Sequence, residues 1–186
     1  MLKKLFNKID ARYQGIVLFA ICLLASNYFW EFSVDGDKES NTIVTLYGYE
    51  IMDFVNSVTS LYASLIHDIL SKIGYCTQLI DSRNYYSNMH YCTIIFGCSG
   101  IKQTFMMLVI LLFARGSWIH KTWYALVSVA LLTLFNVFRL CFLTAIVRDN
   151  PEWFEFLHDV VFKYSYYFLM FLLWLLWDEY LRKKLT

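Results

Sequence analysis

Apolar runs long enough to cross a bilayer as helices alternate along this chain with two stretches of different pattern. The first run, Tyr13 to Phe32, follows Lys3, Lys4, Lys8 and Arg12 and predicts a membrane helix with its N-terminus in the cytoplasm. A cleaved signal peptide is the competing reading, but the run ends in Asn27, Tyr28, Phe29 and Trp30 rather than in small residues. Cys22 is preceded by Ile21, where a lipobox would need a small residue. Further spans are expected over Ser99 to Ala114, Thr122 to Val147 and Phe154 to Trp177.

Two stretches break this pattern. From Glu50 to Ile73 the apolar positions Ile51, Phe54, Val55, Val58, Leu61, Leu65, Ile66, Ile69 and Ile73 recur at helical spacing, with Asp53, Asn56, Ser60, His67 and Asp68 between them. That predicts an amphipathic helix at the outer interface or against the other helices, with a full crossing as the alternative. Residues 75–97 hold two β-prone runs around Asp81, Ser82, Arg83 and Asn84, which predicts a small external hairpin turning near Asn84. Such a turn would bring Cys76 opposite Cys92, in reach of a disulfide in an oxidising compartment.

Charge orients the spans. Placing the N-terminus, the Arg115 to Lys121 loop and Arg182, Lys183 and Lys184 in the cytoplasm puts every basic cluster inside. Asp35, Asp37, Glu39, Asp149, Glu152 and Glu155 then fall outside. Composition agrees: 59% hydrophobic and 19% aromatic residues in 186, with a mean hydropathy of +0.48, are too apolar for a soluble domain of this size. One proline and seven glycines leave little turn chemistry for an extended β architecture. The expected fold is an all-α integral membrane protein: a single membrane domain with about four transmembrane helices, the amphipathic helix over 50–73, the hairpin over 75–97 and a three-helix core over 98–178. A net charge of +1 leaves no nucleic-acid footprint, and no metal-ligand spacing such as CxxC or HExxH occurs, so neither nucleic acid nor a metal or organic cofactor is called for.

In this topology Cys98, Arg139 and His158 reach similar depth near the outer face. Cys98 opens a span, where helix N-terminal N–H groups and Lys102 one turn on favour a thiolate; the plain alternative is a small apolar filler, the reading preferred for Cys22 and Cys141. Arg139 lies about eight residues, roughly 12 Å, below the outer end of its span, so its guanidinium must face the protein interior or a hydrated cleft. Asn136 and Thr133 precede it at three-residue spacing as one polar stripe. His158 heads the last span, with Lys163 expected as its partner rather than Asp159, which an ideal helix would turn about 100° away. His67, His90 and His120 are expected to be bystanders. Ser99, Lys102 and Gln103 share the helix start with Cys98 and are candidate substrate-positioning residues. A thiol, a base and a fixed cation at one depth suit cysteine-based acyl transfer. The competing class is a non-enzymatic scaffold or transporter component with a structural Arg139, Asn136 and Lys102 network.

At these residues the sequence resembles the exosortase/archaeosortase family, in particular its short, Bacteroidetes-type members. The likeness spans roughly Ser64 to Tyr180: the stretch ending in Ile73 and Gly74, the run into Cys98, Ser99, Gly100 and Ile101, the Asn136-x-x-Arg139 span, and His158. The resemblance implies a membrane cysteine protease or transpeptidase with Cys98 as nucleophile, Arg139 as essential cation and His158 as third catalytic residue. It implies a membrane-anchored substrate with a C-terminal sorting signal, cut at the outer face of the cytoplasmic membrane, and a lipid or glycan acceptor if the product is transferred. The extra N-terminal spans of longer members are absent from this chain, and Phe162 stands where the family often has glycine.

Overall fold

The computed structural model describes residues 11–40 and 42–181. Lys3, Lys4, Lys8, Arg182, Lys183 and Lys184, which enter the orientation argument, lie outside the described residues.

Helix α1, Ala11–Ser33, is apolar along most of its length, with Asn27 and Glu31 near its C-terminal end. It packs chiefly against α3, Ile101–Phe113. Phe19 and Cys22 meet Met106, Met107 and Ile110 of α3 and Met170 and Trp174 of the last helix in the largest apolar core. The 32-residue α4, Trp118–Asp149, crosses this bundle. The last helix, α5, is composite: one turn over Phe154–Phe156, a π-helical stretch over Leu157–Phe162, regular helix over Lys163–Leu176 and a π-helical end over Trp177–Leu181.

Among the described residues, three helical segments are long and apolar enough to cross a membrane: Gln14–Ser33, Trp118–Asp149 and Pro151–Glu179. The expected second span is shorter than the sequence suggests. Its helix has 13 residues, about 20 Å, against a hydrocarbon core of about 30 Å. Gly100, in the left-handed region at φ 78°, separates α3 from the turn before it, and extended Ala114 ends it. Lys121 is likewise no loop cation. It sits in the first turn of α4, buried, and its Nζ donates to the carbonyls of Leu112 and Ala114 at 3.1 Å each while lying 3.9 Å over the Trp118 ring. These bonds satisfy carbonyls that the end of α3 leaves without an intrahelical partner.

Helix α2, Met52–Lys72, buries Val55, Thr59, Ala63, Ile66 and Leu70, one face at intervals of three and four residues. Its Ala63, Ile66 and Leu70 pack with Ile94, Cys98 and Leu140 in a second core that backs the candidate nucleophile.

The connections hold more strand than the sequence suggests. Val34–Asp35 (β1), Thr45–Leu46 (β2) and Tyr49–Glu50 (β3) form an antiparallel ribbon after α1. Residues 75–97 form three strands rather than a hairpin: Gln78–Ile80 (β4), Arg83–Tyr85 (β5) and Tyr91–Thr93 (β6), ordered β4-β5-β6. The first turn falls at Asp81, which takes φ 52°, so Asn84 lies within β5 and pairs with Cys92. That register removes the expected Cys76–Cys92 juxtaposition, and both thiols are free.

Helices α1, α3, α4 and α5 run between two ends. At one, Arg115 donates to Gln14, and the Trp177 indole donates to the Arg115 carbonyl at 3.0 Å. At the other lie Glu31, Cys98, Lys102 and His158.

Candidate active site

Cys98 does not sit in the first turn of α3. It closes a short 3-10 turn, Phe96–Cys98, and Ser99 and Gly100 intervene before the helix begins. Gly100 is indispensable to that corner: a Cβ there would lie 2.9 Å from the Tyr166 hydroxyl and 3.0 Å from Asn136 Cγ, on a backbone that L-residues rarely adopt. Asn136, fully buried, donates from Nδ2 to the Cys98 carbonyl at 3.0 Å, so α4 fixes the height of the thiol. The turn is also tied to the β1–β2 loop. Gly97 N–H donates to the Asp37 carbonyl at 2.8 Å, and a Cβ at Gly97 would approach that oxygen to 2.7 Å.

The Cys98 side chain opens on a cleft of about 470 Å³, shared with Arg139, His158, Gln103, Lys102 and Glu31. Cys98 is 8% exposed and Arg139 5%. Burial pushes the Cys98 thiol up from its ordinary value, and the nearby Arg139 charge acts in the opposite direction. With burial dominant, the resting thiol keeps its proton and needs a base within reach. His158 supplies one: its Nε2 lies 3.5 Å from Cys98 Sγ.

The other ring nitrogen of His158 faces a partner that the ideal-helix argument rejects. Nδ1 lies 2.8 Å from Asp159 Oδ1, and Lys163 is not the partner. The reason is local: His158 and Asp159 lie in the π-helical stretch, where i→i+5 bonding widens the turn and brings successive side chains closer in direction than in an α-helix. Phe154 stacks on the imidazole with centroids 5.5 Å apart and planes 16° apart.

The remaining candidates divide. Gln103 lines the cleft with a buried Oε1 that has no partner, and Arg139 Nε is likewise buried without one. Lys102 lines the cleft, but its ammonium is engaged by Glu31 Oε1 at 2.5 Å instead of facing the thiol. Ser99 is buried outside the cleft and accepts the Ile101 N–H at 3.3 Å. Thr133 is exposed and leaves the polar stripe, because the buried face of α4 runs through Ser128, Leu132, Asn136 and Arg139. His67 bonds Thr77 and His90 bonds the Val147 carbonyl, both away from the cleft.

Sequence reasoning did not reach the wall built by α1 and its loop. Glu31 bridges Lys102 and Lys38, and Asn27 and Asp37 complete that side. The available signal was a carboxylate at the outer end of an otherwise apolar span, where a cationic partner is expected. Among the described residues no three His, Cys, Asp or Glu side chains converge as metal ligands.

Comparison with known families gives a match to the transmembrane exosortases (Exosortase_EpsH) over residues 42–177. The chain belongs to that family and is an integral membrane protein of helical class. No curated protein and no solved structure matches it. The matched region begins after α1, so Asn27, Glu31, Asp37 and Lys38 are additions to the cleft from outside it.

Proposed function

We propose that this chain is a membrane-embedded cysteine protease or transpeptidase that cleaves C-terminal sorting signals of exported proteins at the outer face of the cytoplasmic membrane. The observation that carries the reading is the 3.5 Å approach of His158 Nε2 to the buried Cys98 thiol in a cleft shared with Arg139. His158 takes the thiol proton, the thiolate attacks the scissile carbonyl, and the resulting imidazolium returns that proton to the leaving amine. An acyl-enzyme thioester remains. Arg139, with an unpartnered Nε–H, suits the developing oxyanion, and Gln103 suits a backbone N–H of the substrate through its unpartnered Oε1. Water completes a hydrolysis; an amine or hydroxyl of a lipid or glycan completes a transfer.

The test is non-additivity. Groups serving one shared step lose nearly everything singly, so Cys98→Ala and the Cys98→Ala, His158→Ala double variant should be equally inactive toward a co-expressed membrane-anchored substrate. A double variant much worse than either single change contradicts a shared step.

A further inference from the structure

We infer that Asp159 is a positioning residue: it holds the His158 ring with Nδ1 protonated, leaving Nε2 free to receive the Cys98 proton. The inference rests on the cysteine reading above and extends it by a residue outside the Cys98, Arg139 and His158 set. A carboxylate can only accept, so a contact of 2.8 Å at Nδ1 places a hydrogen on that nitrogen, which in the neutral ring is the Nδ1–H tautomer. The opposite tautomer would aim an N–H at the thiol and leave no acceptor for its proton. Phe154 stacks on the ring from one turn back, and Asp159 follows His158 within the same π-helical stretch. Two restraints thus act on one ring, and the line from Sγ through both nitrogens to the carboxylate is continuous.

The proton balance is simple: the thiol hydrogen moves to Nε2, the Nδ1 hydrogen stays in place, and Asp159 stays ionised opposite the positive ring. Other charges face the same space. They are Arg139 from α4, Lys102 from α3, Lys163 on α5 itself, and Glu31, Asp37 and Lys38 from α1 and its loop. Lys102 and Lys38 are already paired with Glu31, so Asp159 is the carboxylate that contacts the ring directly. Its side chain is 69% exposed, so solvent screens its charge and the effect is smaller than for a buried triad carboxylate.

The experiment uses the full chain in detergent micelles, labelled with 15N-histidine, with His158→Gln assigning the resonance. The neutral ring should show Nδ1–H in the unsubstituted chain, and Asp159→Asn should shift the population toward Nε2–H. Alkylation of Cys98 by iodoacetamide, followed peptide by peptide by mass spectrometry, should slow about three- to tenfold in Asp159→Asn at about pH 7.5. Asp159→Glu, which keeps the carboxylate, should recover at least about half of the original rate. An unchanged tautomer and alkylation rate in Asp159→Asn, alongside slowed alkylation in His158→Gln, overturn the role of Asp159 and leave the Cys98–His158 pair standing. Unchanged alkylation in His158→Gln overturns both.

Discussion

Replacing Gly100 by alanine tests whether the corner before α3 is built as described. Two penalties are legible. An L-residue at φ 78° costs roughly 1–2 kcal/mol relative to glycine. The new Cβ would also meet the Tyr166 hydroxyl at 2.9 Å, on a ring pinned by its hydrogen bond to the Leu132 carbonyl at 2.9 Å, and overpacking of this kind costs about 1–3 kcal/mol. The total is about 2–5 kcal/mol, measured as the loss of stability to denaturant in micelles by far-ultraviolet circular dichroism. Tyr166→Phe separates the parts, since it removes the obstructing oxygen but not the backbone penalty. In that background Gly100→Ala should cost less by about 1 kcal/mol or more, a coupling readable from a double-mutant cycle. A single-variant cost below about 0.5 kcal/mol, or the same cost in both backgrounds, would refute the packing argument.

Other consequences follow from the same contacts. Lys121→Met should lower stability by about 1–3 kcal/mol in the same unfolding assay, because two carbonyls at the end of α3 lose their donor. Arg139→Lys should insert and accumulate normally yet lose substrate cleavage about 100-fold or more, since a flexible ammonium replaces a planar fork; cleavage near the original rate would exclude a geometric role. Because burial raises the Cys98 thiol while Arg139 opposes it, alkylation should rise with pH through and beyond the ordinary thiol range. Arg139→Gln should then move the midpoint of that rise to higher pH, and a downward move would contradict the sign.

Fold class was legible because apolar run length and charge placement are properties of single segments. What failed depended on local backbone geometry. The Ser99 to Ala114 run reads as a span, but the left-handed Gly100 and the extended Ala114 shorten its helix to 13 residues. The three-stranded sheet was hidden because a positive φ at Asp81 moved the turn and shifted the register away from Asn84. Cys98, Arg139 and His158 could be grouped by depth alone, and the cleft does gather them. Asp159 was set aside by an argument valid for an α-helix, and the π-helical stretch that overturns it has no sequence signature of its own. Glu31 was missed because its partner Lys102 lies 71 residues further along the chain, a contact that no local pattern reports.

Everything proposed for the cleft turns on Cys98 being the nucleophile of a reaction on a membrane-anchored protein. The direct measurement is the processing of a co-expressed exported protein ending in a short motif, an apolar helix and a basic tail, followed as loss of a C-terminal tag. The unsubstituted chain should process it and Cys98→Ala should not, with both proteins present in the membrane at equal levels. Processing by Cys98→Ala at the unsubstituted rate would remove Cys98 from the role of nucleophile.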